Sequence, residues 1–178
     1  MAKNILKIFA FLYIAMFVSC TNVDEEMYSD LAEGNYYQDK NSIIAALIRP
    51  FEHAHWCGWD GSRWYMQELT ADNFVWTQKA KHGYDGGYWI RLHGHTWTNE
   101  EPVINSGWVG PYQGIMQCNI FIEDFTKLDY ASFGLSESDK KEHIAQLQTL
   151  RSWFYLFLID FFRHVPIPEK RGVLVSQS

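Results

Sequence analysis

Cysteine is scarce in this chain, with three in 178 residues, too few for a disulfide-built scaffold. Five prolines and twelve glycines exclude a collagen-like or low-complexity polymer. Basic charge is also short: 15 Lys and Arg stand against 21 Asp and Glu, a net charge of −6. That balance excludes the broad basic footprint of a nucleic-acid binder. The apolar run at residues 8–18 is brief, and at about 1.5 Å per residue it cannot cross a hydrocarbon core of about 30 Å. Absent too are a His-Glu-x-x-His helix, a Gly-x-Ser-x-Gly elbow, a phosphate loop and a dinucleotide fingerprint. No cofactor is implied.

Aromatic residues, by contrast, are abundant: 8 Trp, 10 Tyr and 12 Phe make up 17% of the chain. With 47% apolar residues the chain is not disordered, and its length fits one domain with a core. Seven of the eight tryptophans lie between Trp56 and Trp108, and nine of the twelve glycines between Gly58 and Gly114. Rings mixed with glycines and polar residues predict a loop-rich face more than a regular core.

The first twenty residues carry Lys3 and Lys7, then the apolar run, then Phe17-Val18-Ser19-Cys20. This pattern predicts a secretory signal peptide at 1–19 rather than a membrane anchor. Its ending resembles the lipobox of bacterial lipoproteins, which makes Cys20 the lipidation site. Removal of Lys3 and Lys7 would take the net charge to −8. Asp24, Glu25 and Glu26 resemble a surface-export signal, or else a solvated tether across 20–40. Cys57 and Cys118 remain, and Cys118 sits in a helical pattern where a small buried thiol is the common role. No bridge between them is expected.

Asn41-Ser42 offers a helix cap before Ile43, Ile44, Leu47, Ile48 and Phe51, and Pro50 should kink or end that helix early. From Cys57 to Ser106 no periodicity lasts for more than a turn, and a loop of that length inside a compact domain points to a functional face, with short helical or extended pieces inside it. A helical rhythm returns from Trp108, with Pro111 read as part of its first turn. Ser136 and Asp139 form a near capping box for a helix whose stripe runs Ile144, Leu147, Leu150, Phe154, Leu158 and Phe161. Residues 165–168, Val-Pro-Ile-Pro, stop it. The stretch 153–162 is apolar nearly all round and needs cover, so the chain reads as the front part of a larger protein, incomplete at its C-terminus, with an oligomer partner that covers the gap as the alternative.

Several segments match one family in order. They are Cys20, then Gln67-Glu68-Leu69-Thr70-Ala71-Asp72-Asn73, then the Trp108, Tyr112, Ile115, Asn119 helix. Last comes Leu150-Arg151-Ser152-Trp153-Phe154-Tyr155, leading to Asp160 and Val165-Pro166. This order resembles the N-terminal part of the SusD/RagB family of outer-membrane nutrient-binding lipoproteins. Arg163 and His164 stand where glycine is usual in the family's exit motif. The resemblance implies a mainly α fold on a tetratricopeptide-like helical scaffold, with 41–178 a partial SusD-like domain. It further implies attachment to the outer face of the outer membrane. Glycan or other nutrient ligands and a SusC-like TonB-dependent transporter as partner follow from it as well, with uptake as the role.

A sugar offers apolar faces to rings and hydroxyl edges to polar groups. Residues 72–97 supply both, and the expected ligand-binding set is Trp76, Trp89 and Tyr84 as platforms with Asp72, Asn73 and Asp85 as polar partners. Lys79 and Arg91 are further candidates. Trp108 and Trp153 are assigned to the core, and Asn119 and Arg151 to structural roles inside apolar faces. His53-x-His55 and His93-x-His95 could bind zinc on a strand. However, the first pair lies in a helical pattern where such residues diverge, and no metal is expected. A lipoprotein glycoside hydrolase using loop carboxylates is the alternative. It needs two facing acids, and nothing ties any two together, so the chain is expected not to be an enzyme.

Overall fold

Asp39 opens the first helix, α1 (Lys40–Trp56), through a reciprocal box. Ser42 N donates to Asp39 Oδ1 at 2.8 Å, and Asp39 N donates to Ser42 Oγ at 3.1 Å. Asp39, rather than Asn41 or Ser42, is therefore the cap residue, and Ser42 closes the box as the third helical residue. Pro50 does not end α1, which continues to Trp56 and into a single wide turn at Cys57–Gly61. The ring of Pro50 is fully buried, and packing there outweighs the lost hydrogen bond. Next come α2 (Arg63–Thr70), α3 (Tyr88–His93), α4 (Pro102–Lys127) and α5 (Glu137–Phe162). The expectation of a mainly α fold holds, and no sheet forms among the described residues. The computed structural model describes residues 36–170. The leader at 1–19, Cys20 and the acidic cluster after it lie outside the described residues.

Helix α4 starts six residues before Trp108, with Pro102 in its first turn and Pro111 in its interior. Pro111 was expected at the start; it is instead fully buried. Helix α5 begins at the expected box, where Asp139 N donates to Ser136 Oγ at 3.1 Å and Ser136 N to Asp139 Oδ2 at 2.7 Å. Hydrogen bonds from Ser136 hold the Asp139 carboxyl below its ordinary range.

The register of the α4–α5 pair is antiparallel. Trp108 meets Phe162, Asn119 meets Arg151, and Phe125 meets His143. A Cβ on Gly114 would overlap the Phe154 ring, so only glycine permits this approach. Helix α1 runs antiparallel to α4 on another side: Tyr37 donates to Asp124 Oδ2 at 2.9 Å near one end, and His53 Nε2 to Gly110 O at 2.8 Å near the other. Cys57 and Cys118 are buried free thiols, and burial pushes both up to about 12.

The strap after α5 is pinned by side chains. Pro168 O accepts from Asn119 Nδ2 at 2.9 Å and from the Tyr155 hydroxyl at 2.7 Å. Arg151 donates to Asn119 Oδ1 at 2.7 Å, and the Tyr112 hydroxyl to Pro166 O at 2.9 Å. Asn119 and Arg151 are thus structural. Phe154, Phe157 and Leu158 are buried, whereas Leu156 and Ile159 stand 60% and 46% exposed. Trp108 and Trp153, expected in the core, are only half-buried. The Arg63 guanidinium lies over the Trp153 ring, 5.7 Å from its centroid.

Candidate binding site

Helices α2 and α3 and the first turn of α4 enclose a small second core of Met66, Leu69, Trp89, Leu92 and Val103. On it rests a connected layer of rings contributed by α2, α3 and the segment between them. Centroids lie 5.1 Å apart for Trp64 and Phe74, 4.7 Å for Tyr65 and Trp89, and 4.3 Å for Tyr88 and Trp89. Trp76 sits on Trp89 at 5.3 Å and 34°, and edge-on to Tyr65 at 6.1 Å.

These contacts revise the expected pair of platforms. Trp89 is 8% exposed and its indole N–H donates to Asp85 Oδ2 at 2.8 Å. It is a supporting ring beneath Trp76, and it offers no open face to a ligand. Asp85 is occupied by that bond, at φ 44° in a left-handed turn with Gly86 and Gly87. Aspartate tolerates such backbone better than most residues. Burial raises the neighbouring Tyr88 hydroxyl, with the Asp85 charge adding to the effect.

Trp76 keeps one side free. Together with Phe74, Thr77, Lys79 and His82 it lines a solvent-open cleft of about 270 Å³. Part of the cleft wall is a tight hairpin: Lys79 N donates to His82 O at 2.8 Å and His82 N to Lys79 O at 2.9 Å. Residues paired across such a turn project to one face. Phe74, Thr77 and His82 were missing from the expected site. The Phe74-x-Trp76 alternation hinted at one shared face, but the turn Ala80-Lys81 contains neither Gly nor Asn, and Ala80 takes φ 53° without either.

The other expected residues scatter. Tyr84 is 53% exposed beside Gly87 and does not line the cleft. Asn73 is exposed. Asp72 holds its Oδ1 3.9 Å from His93 Nδ1 and 3.8 Å from His95 Nε2. Arg91 is committed as well. Its Nε and Nη2 hold the Glu101 carboxylate, the second at 2.7 Å, and Nη1 donates to Gly86 O at 2.9 Å. That pairing holds Glu101 below the ordinary glutamate range and raises Arg91. Among the described residues no three His, Cys, Asp or Glu side chains gather as a metal site. His53 is bound to Gly110 O while His55 faces solvent.

Another cavity of about 350 Å³ lies between Met66, Leu92, Trp97, Ile104, Phe161 and Phe162. Comparison with protein-family models, with curated proteins and with solved structures returns no match in any of the three.

Proposed function

We propose that this chain is a lipid-anchored, surface-exposed and non-catalytic saccharide-binding protein of the SusD/RagB type, serving a SusC-like TonB-dependent transporter in nutrient uptake. The observation that carries the binding step is the Trp76 ring, which walls an open cleft while Tyr65 and Trp89 hold it from behind. A platform already fixed by its neighbours loses little freedom when a sugar face stacks on it. Each such ring contributes about 1 kcal/mol beyond its buried area. Thr77 and Lys79 stand beside it to meet hydroxyl edges.

The family resemblance draws support from Arg163. It occupies the place where glycine is usual, and its backbone lies at φ 62° and ψ −75°. His164 N donates to Phe162 O at 2.8 Å across it, a γ-turn of the rare positive-φ kind that favours glycine. The tetratricopeptide-like character of the scaffold belongs to the same proposal, as do lipidation at Cys20 and the outer-membrane location.

The test is calorimetric titration of the full chain against an oligosaccharide panel, run beside a reducing-sugar release assay. Heat with at least one saccharide, no release, and roughly fivefold to tenfold weaker binding by Trp76→Ala is the expected result. No heat across the panel overturns the proposal, and so does sugar release that Asp72→Asn abolishes. The anchor is checked separately: Cys20→Ala should move the protein out of the membrane fraction.

A further inference from the structure

The chain is acidic overall, at −6, yet the cleft beside Trp76 is not. From Asn73 to Tyr84 there is no Asp or Glu, and Lys79 and Lys81 both fall in that stretch. The hairpin bridge between Lys79 and His82 puts those two side chains on one face, and both line the cleft together with the rings of Phe74 and Trp76. Three acids that flank this stretch in the sequence face other groups. Asp85 accepts from Trp89, Glu101 is held by Arg91, and Asp72 faces His93 and His95. Among the described residues none forms an ion pair with Lys79, Lys81 or His82.

A neutral sugar needs a ring and a few hydrogen-bond partners of either kind, and acids serve it as well as lysines do. A wall built of a lysine ammonium and an imidazole against two aromatic rings selects for something flat on one side and negatively charged on the other. We infer that the cleft takes an anionic saccharide, a sugar ring bearing a carboxylate or a sulfate, with the ring on Trp76 and the anion on Lys79. The inference rests on the saccharide-binding reading above and narrows it. Charge-assisted hydrogen bonds to such an anion are about twice as strong as neutral ones. An exposed lysine keeps that advantage only at modest ionic strength, since solvent-exposed ion pairs weaken as salt rises.

The experiment uses the full chain and four size-matched probes: a neutral oligosaccharide, a uronate oligosaccharide, a sulfated oligosaccharide and a short single-stranded oligonucleotide. Either or both of the acidic sugars should bind on the order of tenfold tighter than the neutral one at low salt, and the two acidic arms tell carboxylate from sulfate. The preference should fade as salt rises. Lys79→Gln should bring the acidic sugars down to the affinity of the neutral one, and Trp76→Ala should weaken every saccharide. Equal affinity for neutral and acidic sugars, unaltered by Lys79→Gln, overturns the anionic assignment and leaves saccharide binding standing. No saccharide binding at all removes the reading beneath it. Tighter binding of the oligonucleotide than of any sugar overturns both.

Discussion

In the α4–α5 hairpin, two 26-residue helices meet where Gly114 lets the Phe154 ring reach the backbone, and regular hydrogen bonding does the rest. Between α2 and α4, from Ala71 to Glu101, the six-residue α3 is the only α-helix, and cross-links take the place of a long helical ladder. Stacked rings, the Asp85–Trp89 bond and the Arg91–Glu101 clamp hold that segment. The first region is shaped by what is left out, a side chain at a crossing. The second is shaped by what is added, polar pins under a sheet of rings. At the hairpin crossing an extra atom meets a rigid buried ring, whereas the irregular segment depends on its polar pins.

The hairpin is therefore where a single methyl should do the most damage. Gly114→Ala should lower unfolding stability by about 3 kcal/mol, because the buried Phe154 ring has to leave its place. A control comes from Gly107, where an added Cβ would meet the Met66 sulfur at 2.6 Å. A thioether end can move aside, so Gly107→Ala should cost clearly less. Denaturant midpoints of the two variants measure the gap, and equal costs would break the claim that the rigid ring decides.

Polar pins also occur on the regular side, where the strap after α5 folds back. Asn119→Ala leaves Arg151 Nη1 and the Pro168 carbonyl each short of a partner. Removing one member of a buried polar set costs about 2 kcal/mol, and the same denaturant titration reads it. Tyr155 still donates to Pro168 O, which keeps the cost below that of Gly114→Ala.

In the irregular region the pin to pull is Glu101, nearly fully buried at 4% exposed. Glu101→Gln should cost about 1.5 kcal/mol at neutral pH, the scale of a hydrogen bond to a charged group. Because Arg91 holds the folded-state carboxyl below its unfolded value, its contribution is fully present above the ordinary glutamate range. It is lost as pH falls through the lowered folded value. The stability difference between wild type and variant should thus stay flat from pH 8 to about pH 5 and shrink below that. A difference that persists undiminished at pH 2 would mean that Glu101 acts through packing rather than through its charge.

The same contrast explains what was legible in the sequence. Helix α5 was readable from Ser136 to Phe162, since a cap, a stripe and a Pro-x-Pro stop all agree and its own periodicity fixes which side is buried. Pro50 and Pro111 misled because proline's local cost is judged without knowing that both rings would be fully buried. Helices α2 and α3, at eight and six residues, are too short to show periodicity above chance. For the site, the aromatic-rich segment was found and its interior was not. A tryptophan in a loop reads the same whether it faces out, as Trp76 partly does, or in, as Trp89 does. That choice is made by Tyr65 and Asp85, which lie eleven and nine residues from Trp76 and carry no spacing rule. The Lys79–His82 hairpin escaped notice because its turn is built from Ala80 and Lys81.

The smallest expected effect has the opposite sign. Arg163 takes a positive φ of 62° at the end of the regular hairpin, in a conformation that costs a non-glycine residue roughly 1–3 kcal/mol. Arg163→Gly relieves that strain but frees the unfolded chain, which returns up to about 1 kcal/mol of the gain. The balance is a net stabilisation of about 1 kcal/mol, seen as a higher denaturant midpoint at unchanged slope. Arg163→Ala separates the two contributions, since it removes the guanidinium and keeps the strain. If alanine stabilises as much as glycine does, the side chain rather than the γ-turn is at fault, and the hairpin's exit is not a place where backbone geometry calls for glycine.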